Sequence, residues 1–121
     1  MRRLVAVVAV TLVSVVSLTA CGGSSSSQNG GDLPTKTIDI TIKGEDTDPS
    51  GQAIDVAVGQ RIELVVTADK AGEIHVHSSP EQEFQYDAGS STLDMKPIQA
   101  PGRITVESHT LDKVLFTLVA R

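Results

Sequence analysis

The stretch Thr37-Ile38-Asp39-Ile40-Thr41-Ile42 decides the fold class, because apolar and polar residues alternate along it one by one. Successive side chains of a β-strand point to opposite faces, so a period of two is typical of a strand with one buried face. The same alternation returns in six later segments. The predicted inward-facing residues are Ile38, Ile40, Ile42, Ile54, Val56, Val58, Ile62, Leu64, Val66, Ile74, Val76, Phe84, Tyr86, Ile104, Val106, Val114, Phe116 and Leu118.

Short turn signals rich in Gly, Pro, Asp and Ser separate these segments, and no stretch has helical spacing. The turn signals lie at 44–51, 59, 69–72, 78–80, 88–90 and 101–102. Seven or eight short strands separated in this way are typical of two packed antiparallel sheets. The sequence therefore predicts an all-β domain over residues 37–121, folded as a Greek-key β-sandwich.

The first 20 residues have a different character, that of a bacterial export signal. Arg2 and Arg3 precede an apolar stretch over 4–18, which ends at the small residues Thr19 and Ala20. Such a positive start, apolar middle and small-residue end are the three parts of a signal peptide. The apolar stretch is shorter than the roughly 20 residues that a membrane-spanning helix needs.

The segment Leu18-Thr19-Ala20-Cys21-Gly22 resembles the lipobox of bacterial lipoproteins. The resemblance implies that residues 1–20 are a signal peptide and that Cys21 receives a diacylglyceryl group, with palmitate among its acyl chains. The mature protein would then be held on the extracytoplasmic face of the bacterial cell membrane. An ordinary secreted protein with a chance cysteine is the alternative.

Residues 21–36 form the predicted tether between Cys21 and the folded domain. The run Gly-Gly-Ser-Ser-Ser-Ser-Gln-Asn-Gly-Gly over 22–31 has no apolar side chain to bury. Such a composition is typical of a flexible linker, here with a root-mean-square span of roughly 17 Å. The tether would hold the domain away from the membrane surface.

Charge and composition exclude several classes of function. The chain has 10 Lys and Arg residues against 15 Asp and Glu residues, so its acidic surface repels nucleic acid and attracts cations. Three aromatic residues, Phe84, Tyr86 and Phe116, are too few for a platform on which bases or sugars stack. Cys21 is the only cysteine, which excludes a disulfide or a thiolate site within the domain. No nucleophile elbow is present and the only cysteine is the predicted lipid attachment site, so we expect a binding domain and not an enzyme. We also expect the domain to be a monomer.

Two of the three histidines lie in the stretch Glu73-Ile74-His75-Val76-His77. If Ile74 and Val76 face the core, strand alternation places Glu73, His75 and His77 together on the opposite face. Two imidazoles on residues about 7 Å apart along a strand can lean toward one ion. The pattern therefore predicts a metal site with two histidine ligands on one strand.

His109 lies in the predicted link between the last two strands, after Pro101-Gly102 and before the closing strand over 114–119. An all-β chain with a histidine near the end of a middle strand and a ligand in the final link resembles the cupredoxin-like domains of secreted bacterial proteins. The resemblance covers residues 37–121. It implies that His75 or His77 lies near His109 at one pole of the sandwich.

The blue-copper ligand set of the cupredoxins does not carry over to this sequence, because it needs a cysteine in the final link and usually a methionine after it. Here Glu107 and Ser108 precede His109, and Met95 lies in an earlier segment. The donors that remain are the three histidines, with Glu73 or Glu107 as a carboxylate. Nitrogen and oxygen donors of this kind suit Cu(II) or Zn(II).

The sequence thus favours a membrane-anchored extracytoplasmic domain that binds copper or zinc through His75, His77 and His109. The alternative is a protein-interaction module, an accessory to a cell-envelope complex, in which the histidines are incidental. Glu81 and Glu83 are interpreted as part of the solvated surface and not as ligands.

Overall fold

The computed structural model describes residues 33–121, so the predicted signal peptide, Cys21 and most of the tether lie outside the described residues. Residues 33–121 form nine β-strands and no helix, hence no helix that could cross a membrane. The strands are β1 (Lys36–Lys43), β2 (Asp46–Asp48), β3 (Gln52–Val56), β4 (Ile62–Ala68), β5 (Gly72–Val76), β6 (Gln82–Tyr86), β7 (Gly89–Met95), β8 (Gly102–Ser108) and β9 (Lys113–Ala120).

The nine strands form two sheets, which confirms the predicted all-β sandwich. The first sheet has four strands in the order β2-β1-β4-β7, and the second has five in the order β3-β9-β8-β5-β6. Two pairings are parallel, β1 with β4 and β3 with β9, and the other pairings are antiparallel. Strands from distant parts of the sequence therefore lie side by side in both sheets.

The core lies between the two sheets. It is built from the alternate residues of each strand that face inward. Phe116 is the largest side chain that is fully buried in it. Most of the positions that the period of two predicts as inward-facing are buried, while Ile54, Val58 and Phe84 are partly buried against the core. The buried hydrophobic residues are Ile38, Ile40, Ile42, Val56, Ile62, Leu64, Val66, Ala68, Ile74, Val76, Tyr86, Met95, Ile98, Ile104, Val106, Leu115, Phe116, Leu118 and Ala120.

Two strands were not predicted from the sequence, β2 and β7. β2 lies within the segment predicted as a loop over 44–51, and β7 begins in the predicted turn over 88–90. Both are edge strands of the four-stranded sheet, and Met95 is the only residue of the two strands that is buried. An edge strand can be held by hydrogen bonds to its single neighbour, so it needs no continuous apolar face that a pattern would reveal.

The predicted inward position of Val114 is wrong. Val114 is 40% exposed, whereas Leu115 and Phe116, which follow each other in β9, are both fully buried. The cause is a β-bulge: Val106 of β8 pairs with Phe116, but the next residue, Glu107, pairs with Val114. Leu115 is the extra residue of the bulge, and a bulge changes the face to which the following side chains point.

Candidate metal site

The predicted metal-binding strand, β5, presents its histidines on the outer face of the five-stranded sheet. Ile74 and Val76 are fully buried, so strand alternation turns His75 outward. His77 lies one residue beyond β5 and continues the same alternation, because its backbone N–H still donates to Thr105 O of β8 at 2.9 Å. The two imidazole rings are neighbours, with centroids 4.4 Å apart.

Acidic side chains flank His75 on both neighbouring strands. Glu83 of β6 and Glu107 of β8 are its cross-strand partners. Glu81 lies one residue before β6, at the end of the turn over 78–80 that follows His77. The pairing of β5 with both neighbours therefore builds a cluster of histidines and glutamates on one surface.

His75 lies at the centre of this cluster. Its Nε2 is 3.3 Å from Glu81 Oε2 and 4.0 Å from Glu83 Oε1. Its ring neighbours the rings of both His77 and His109, whose centroids are 4.4 and 6.3 Å away. Only 15% of the His75 side chain is exposed, so neighbouring side chains restrict its orientation.

His77 contacts a carboxylate through each ring nitrogen. Its Nε2 lies 2.8 Å from Glu107 Oε1, and its Nδ1 lies 3.6 Å from Glu81 Oε1. The hydrogen bond with Glu107 is the main reason that the pKa of His77 is raised above its ordinary value of 6.5, with desolvation acting in the opposite sense. The negative charges of Glu107 and Glu81 raise this pKa further.

His109 lies in the link between β8 and β9 and forms a separate pair with Glu73. Its Nδ1 is 2.9 Å from Glu73 Oε1, and its backbone N–H donates to Glu73 O at 3.0 Å. The other carboxylate oxygen of Glu73 accepts a hydrogen bond from Gln85 at 3.3 Å. His109 is thus next to the ring of His75, while its Nδ1 is directed to a different carboxylate.

Three side chains bring their ligand atoms to a common region. Nitrogens of His75 and His77 and a carboxylate oxygen of Glu81 all lie within 4.8 Å of one another. Among residues 33–121, this is the one group of three or more histidine, cysteine or acidic residues with that property. These three residues are therefore the candidate metal ligands of the domain.

The remaining predicted ligands, His109, Glu73 and Glu107, lie outside this group. The two glutamates instead form hydrogen bonds with a histidine each. The family resemblance implies that His75 or His77 lies near His109, and the ring of His75 does lie beside that of His109, with centroids 6.3 Å apart.

Glu81 is a ligand candidate that the sequence pattern does not reveal, because the pattern assigns this residue to the solvated surface. Glu81 and His77 are four residues apart and flank the turn that joins β5 to β6. The two strands of a hairpin run side by side, so residues on either side of its turn lie close together. The short Ser78-Ser79-Pro80 turn between two predicted strands was the signal that could have identified it.

The electrostatics of the cluster favour a cation. Among residues 33–121, no Lys or Arg nitrogen lies within 4.0 Å of the carboxylates of the cluster, and the one ion pair of a Lys or Arg is that of Arg121 with Asp55 elsewhere. Carboxylates without a permanently charged partner raise the local concentration of cations. The carboxylates of the cluster are Glu73, Glu81, Glu83 and Glu107.

No protein-family model matches the sequence, and no curated protein matches it. Several solved structures have a similar fold. Reduced auracyanin from the photosynthetic bacterium Roseiflexus castenholzii aligns with a TM-score of 0.51 and 13% identity, over 71% of this chain and 97% of that chain. The Cu(I) form of an amicyanin variant aligns with a TM-score of 0.51 and 8% identity, over 76% of this chain and 89% of that chain. At such identities the likeness shows the fold.

A blue-copper centre does not fit the residues of this domain. Such a centre needs a cysteine thiolate with two histidines and usually an axial methionine. The domain has no cysteine, and its one methionine, Met95, is 4% exposed in the core. Residues 36–121 thus form a domain with the cupredoxin-like fold that lacks the blue-copper ligands and carries a cluster of histidines and glutamates on the outer face of its larger sheet.

Proposed function

We propose that this protein is a membrane-anchored, extracytoplasmic binding domain for one divalent transition-metal ion, Cu(II) or Zn(II). The ligands in this proposal are Nε2 of His75, Nδ1 of His77 and a carboxylate oxygen of Glu81. The observation that carries the proposal is that one ring nitrogen of each histidine and one carboxylate oxygen of Glu81 lie within 4.8 Å of one another. Lipidated Cys21 would supply the membrane anchor.

The spacing of the donors supports binding of a single ion. An ion about 2.0–2.2 Å from each donor needs donors that lie roughly 3–4 Å apart. The His75 nitrogen is 3.3 Å from one oxygen of Glu81, and the His77 nitrogen is 3.6 Å from the other oxygen. Both distances fall in the range that donors to one ion require.

The ligands differ in exposure, which bears on how an ion would enter. His75 is held by the sheet and by two neighbouring rings, while the side chain of Glu81 is 62% exposed after a turn. A flexible carboxylate can contact a hydrated ion first and deliver it to two fixed imidazoles. Three protein ligands also leave a fourth position open for water or for a ligand from a partner.

The donor types support copper or zinc handling at the cell envelope and not electron transfer through a thiolate. Imidazole and carboxylate donors suit Cu(II) and Zn(II), and Cu(II) binds more tightly than Zn(II) to a site that does not select by geometry. We therefore expect a Cu(II) complex without the intense colour of a copper–thiolate bond.

Calorimetric titration of the full chain in nonionic detergent tests this function. We expect one Cu(II) per chain, bound more tightly than Zn(II), and an affinity that falls by roughly tenfold per pH unit for each histidine ligand once the pH is below its pKa. Replacing His75 and His77 together by Ala should remove most of the binding, and Glu81→Gln should weaken it.

Two variants serve as matched controls for this titration. His109→Ala removes a neighbouring histidine outside the ligand group, and Glu63→Gln removes a carboxylate from β4 of the other sheet. Both should bind Cu(II) as tightly as the parent. If the double histidine variant binds Cu(II) as well as the parent does, the metal site does not exist and the protein-interaction function takes its place.

A further inference from the structure

We infer, on the basis of the proposed metal site, that Glu107 is a positioning residue for His77. The Glu107 carboxylate holds the His77 ring in the tautomer that carries its hydrogen on Nε2. Nδ1 is then left with its lone pair directed at the metal position.

The two distances at His77 carry this inference. A neutral imidazole has one N–H donor and one acceptor nitrogen, and an ionised carboxylate can only accept. Glu107 Oε1 is 2.8 Å from Nε2, whereas Glu81 Oε1 is 3.6 Å from Nδ1. The shorter contact takes the hydrogen, so Nδ1 and the Glu81 oxygen face each other as two acceptors. Two acceptors in this arrangement repel each other unless a cation lies between them.

The position of Glu107 in the fold suits a supporting role. It lies in β8, between β5 and β9 in the sheet, and its side chain is 32% exposed against 62% for Glu81. It also lies at the β-bulge of β8 and β9, where the register shifts between Val106 and Glu107. A carboxylate on a central strand can fix a ring orientation that a carboxylate after a turn cannot. Partners of this kind orient the histidine ligands of metal sites and raise their basicity.

The chain contains an internal contrast to this pair. Glu73 also contacts a histidine, but it does so at Nδ1 of His109, 2.9 Å away. His109 should therefore carry its hydrogen on Nδ1, the opposite tautomer to that of His77. Because His109 lies outside the ligand group, its pair with Glu73 provides a matched control for the pair of His77 with Glu107.

Nitrogen NMR of the histidine rings tests the tautomers without any metal. The full chain in detergent micelles has only three histidines, so each ring can be resolved. The spectra are recorded at a pH high enough that the His77 ring is neutral although its pKa is raised. We expect the Nε2-protonated form for His77 and the Nδ1-protonated form for His109. A mixture of tautomers at His77, or the Nδ1-protonated form, would overturn the inference.

Cu(II) titration of three variants tests the consequence for binding. Glu107→Ala should give a mixture of His77 tautomers and lower the affinity by about 10–100-fold, the usual effect of losing such a partner. Glu107→Gln keeps an acceptor oxygen and should restore most of the affinity and of the tautomer preference. Glu73→Ala should change the tautomer of His109 and leave the affinity within about twofold of the parent, because that ring is not a ligand.

The outcomes separate this inference from the proposed function. A parent chain that shows the Nε2-protonated ring but binds no Cu(II) contradicts the proposed function and leaves the tautomer assignment in place. If the parent binds Cu(II) and a folded Glu107→Ala variant binds it equally tightly, the role of Glu107 is overturned. The thermal unfolding of each variant shows whether a loss of affinity is instead a loss of fold.

Discussion

The hydroxyl of Tyr86 lies directly over the backbone of Gly72. A Cβ atom at position 72 would overlap that hydroxyl, and it would lie 2.7 Å from the Cζ carbon of Tyr86 and 2.9 Å from Thr110 Oγ1. The Thr110 oxygen also accepts a hydrogen bond from the backbone of Glu73 at 3.1 Å. This close contact ties β5, β6 and the link that carries His109 into one packed unit.

Gly72→Ala should therefore destabilise the fold although it adds only one methyl group. Overpacking of a well-packed site costs about 1–3 kcal/mol, and each kcal/mol lowers the melting temperature of a domain of this size by about 4–8 °C. Thermal unfolding measures the change. Ala71→Ser is the control: it adds one atom at an exposed neighbour and should shift stability by less than about 0.5 kcal/mol. Equal stabilities of the two variants would contradict the packing described here.

Tyr86 should ionise only at strongly alkaline pH. Burial raises its pKa above the ordinary value of 10.0, the nearby charge of Asp69 raises it further, and the hydrogen bond with Ser108 partly opposes these effects. Because the unfolded chain ionises first, stability should fall as the pH rises beyond 10.0. Tyr86 is the only tyrosine, so the ultraviolet absorbance of tyrosinate reports it alone. A folded protein that titrates with a midpoint at 10.0 would contradict the burial of this ring.

The pair of His77 with Glu107 should stabilise the fold at acidic pH and lose this effect at alkaline pH. The pKa of His77 is raised in the folded state, so its contribution is fully present below the unfolded value of 6.5 and disappears as the pH rises through the folded pKa. Denaturant unfolding of the parent and of His77→Gln should show a larger difference near pH 6 than at pH values about two units higher. A difference that does not change with pH would show that the charge of His77 contributes nothing to stability.

The β-bulge predicts opposite effects for two adjacent residues of β9. Leu115→Ala removes a fully buried side chain and should cost about 2–5 kcal/mol. Val114→Ala removes an exposed one and should cost less than about 0.5 kcal/mol. Chemical denaturation of both variants measures the difference. A larger loss of stability in Val114→Ala than in Leu115→Ala would contradict the bulge and support the simple alternation that the sequence predicts.

The lipid anchor remains a prediction from the sequence, since Cys21 lies outside the described residues. Cys21→Ser should block both lipid attachment and normal processing, because the thioether requires sulfur at that position. Membrane fractionation and the mass of the mature protein measure the effect. A serine variant that is processed at the same site and stays in the membrane fraction like the parent would exclude the anchor.

The fold was predictable where burial imposes a pattern on the sequence. Ile38, Ile40 and Ile42 alternate with polar residues because one face of β1 packs on the other sheet. This burial gives the sequence its period of two. β2 and β7 show no clear alternation of apolar and polar residues, because an edge strand is held mainly by hydrogen bonds to its neighbour. The predicted inward position of Val114 is wrong because of a bulge. A bulge depends on the register between two strands, which the sequence of one strand does not contain.

The candidate site was predictable only in part for the same reason. Alternation alone places His75 and His77 on one face. Glu81 joins them through the closure of a hairpin, and Glu107 joins them through the pairing of strands that are far apart in sequence. The contact of Glu107 with His77 depends on which strands pair in the sheet, and the pattern of one segment does not show this.

The position of β9 has a consequence for when the proposed metal site can form. β9 is the last strand of the domain along the chain, yet it lies between β3 and β8 inside the sheet that carries the cluster. Until it has been synthesised, β3 has no partner and β8 lacks one of its two neighbours. Sheets that depend on such distant pairings fold slowly. The histidines of the proposed site would therefore come together on a complete sheet only after this final strand has docked.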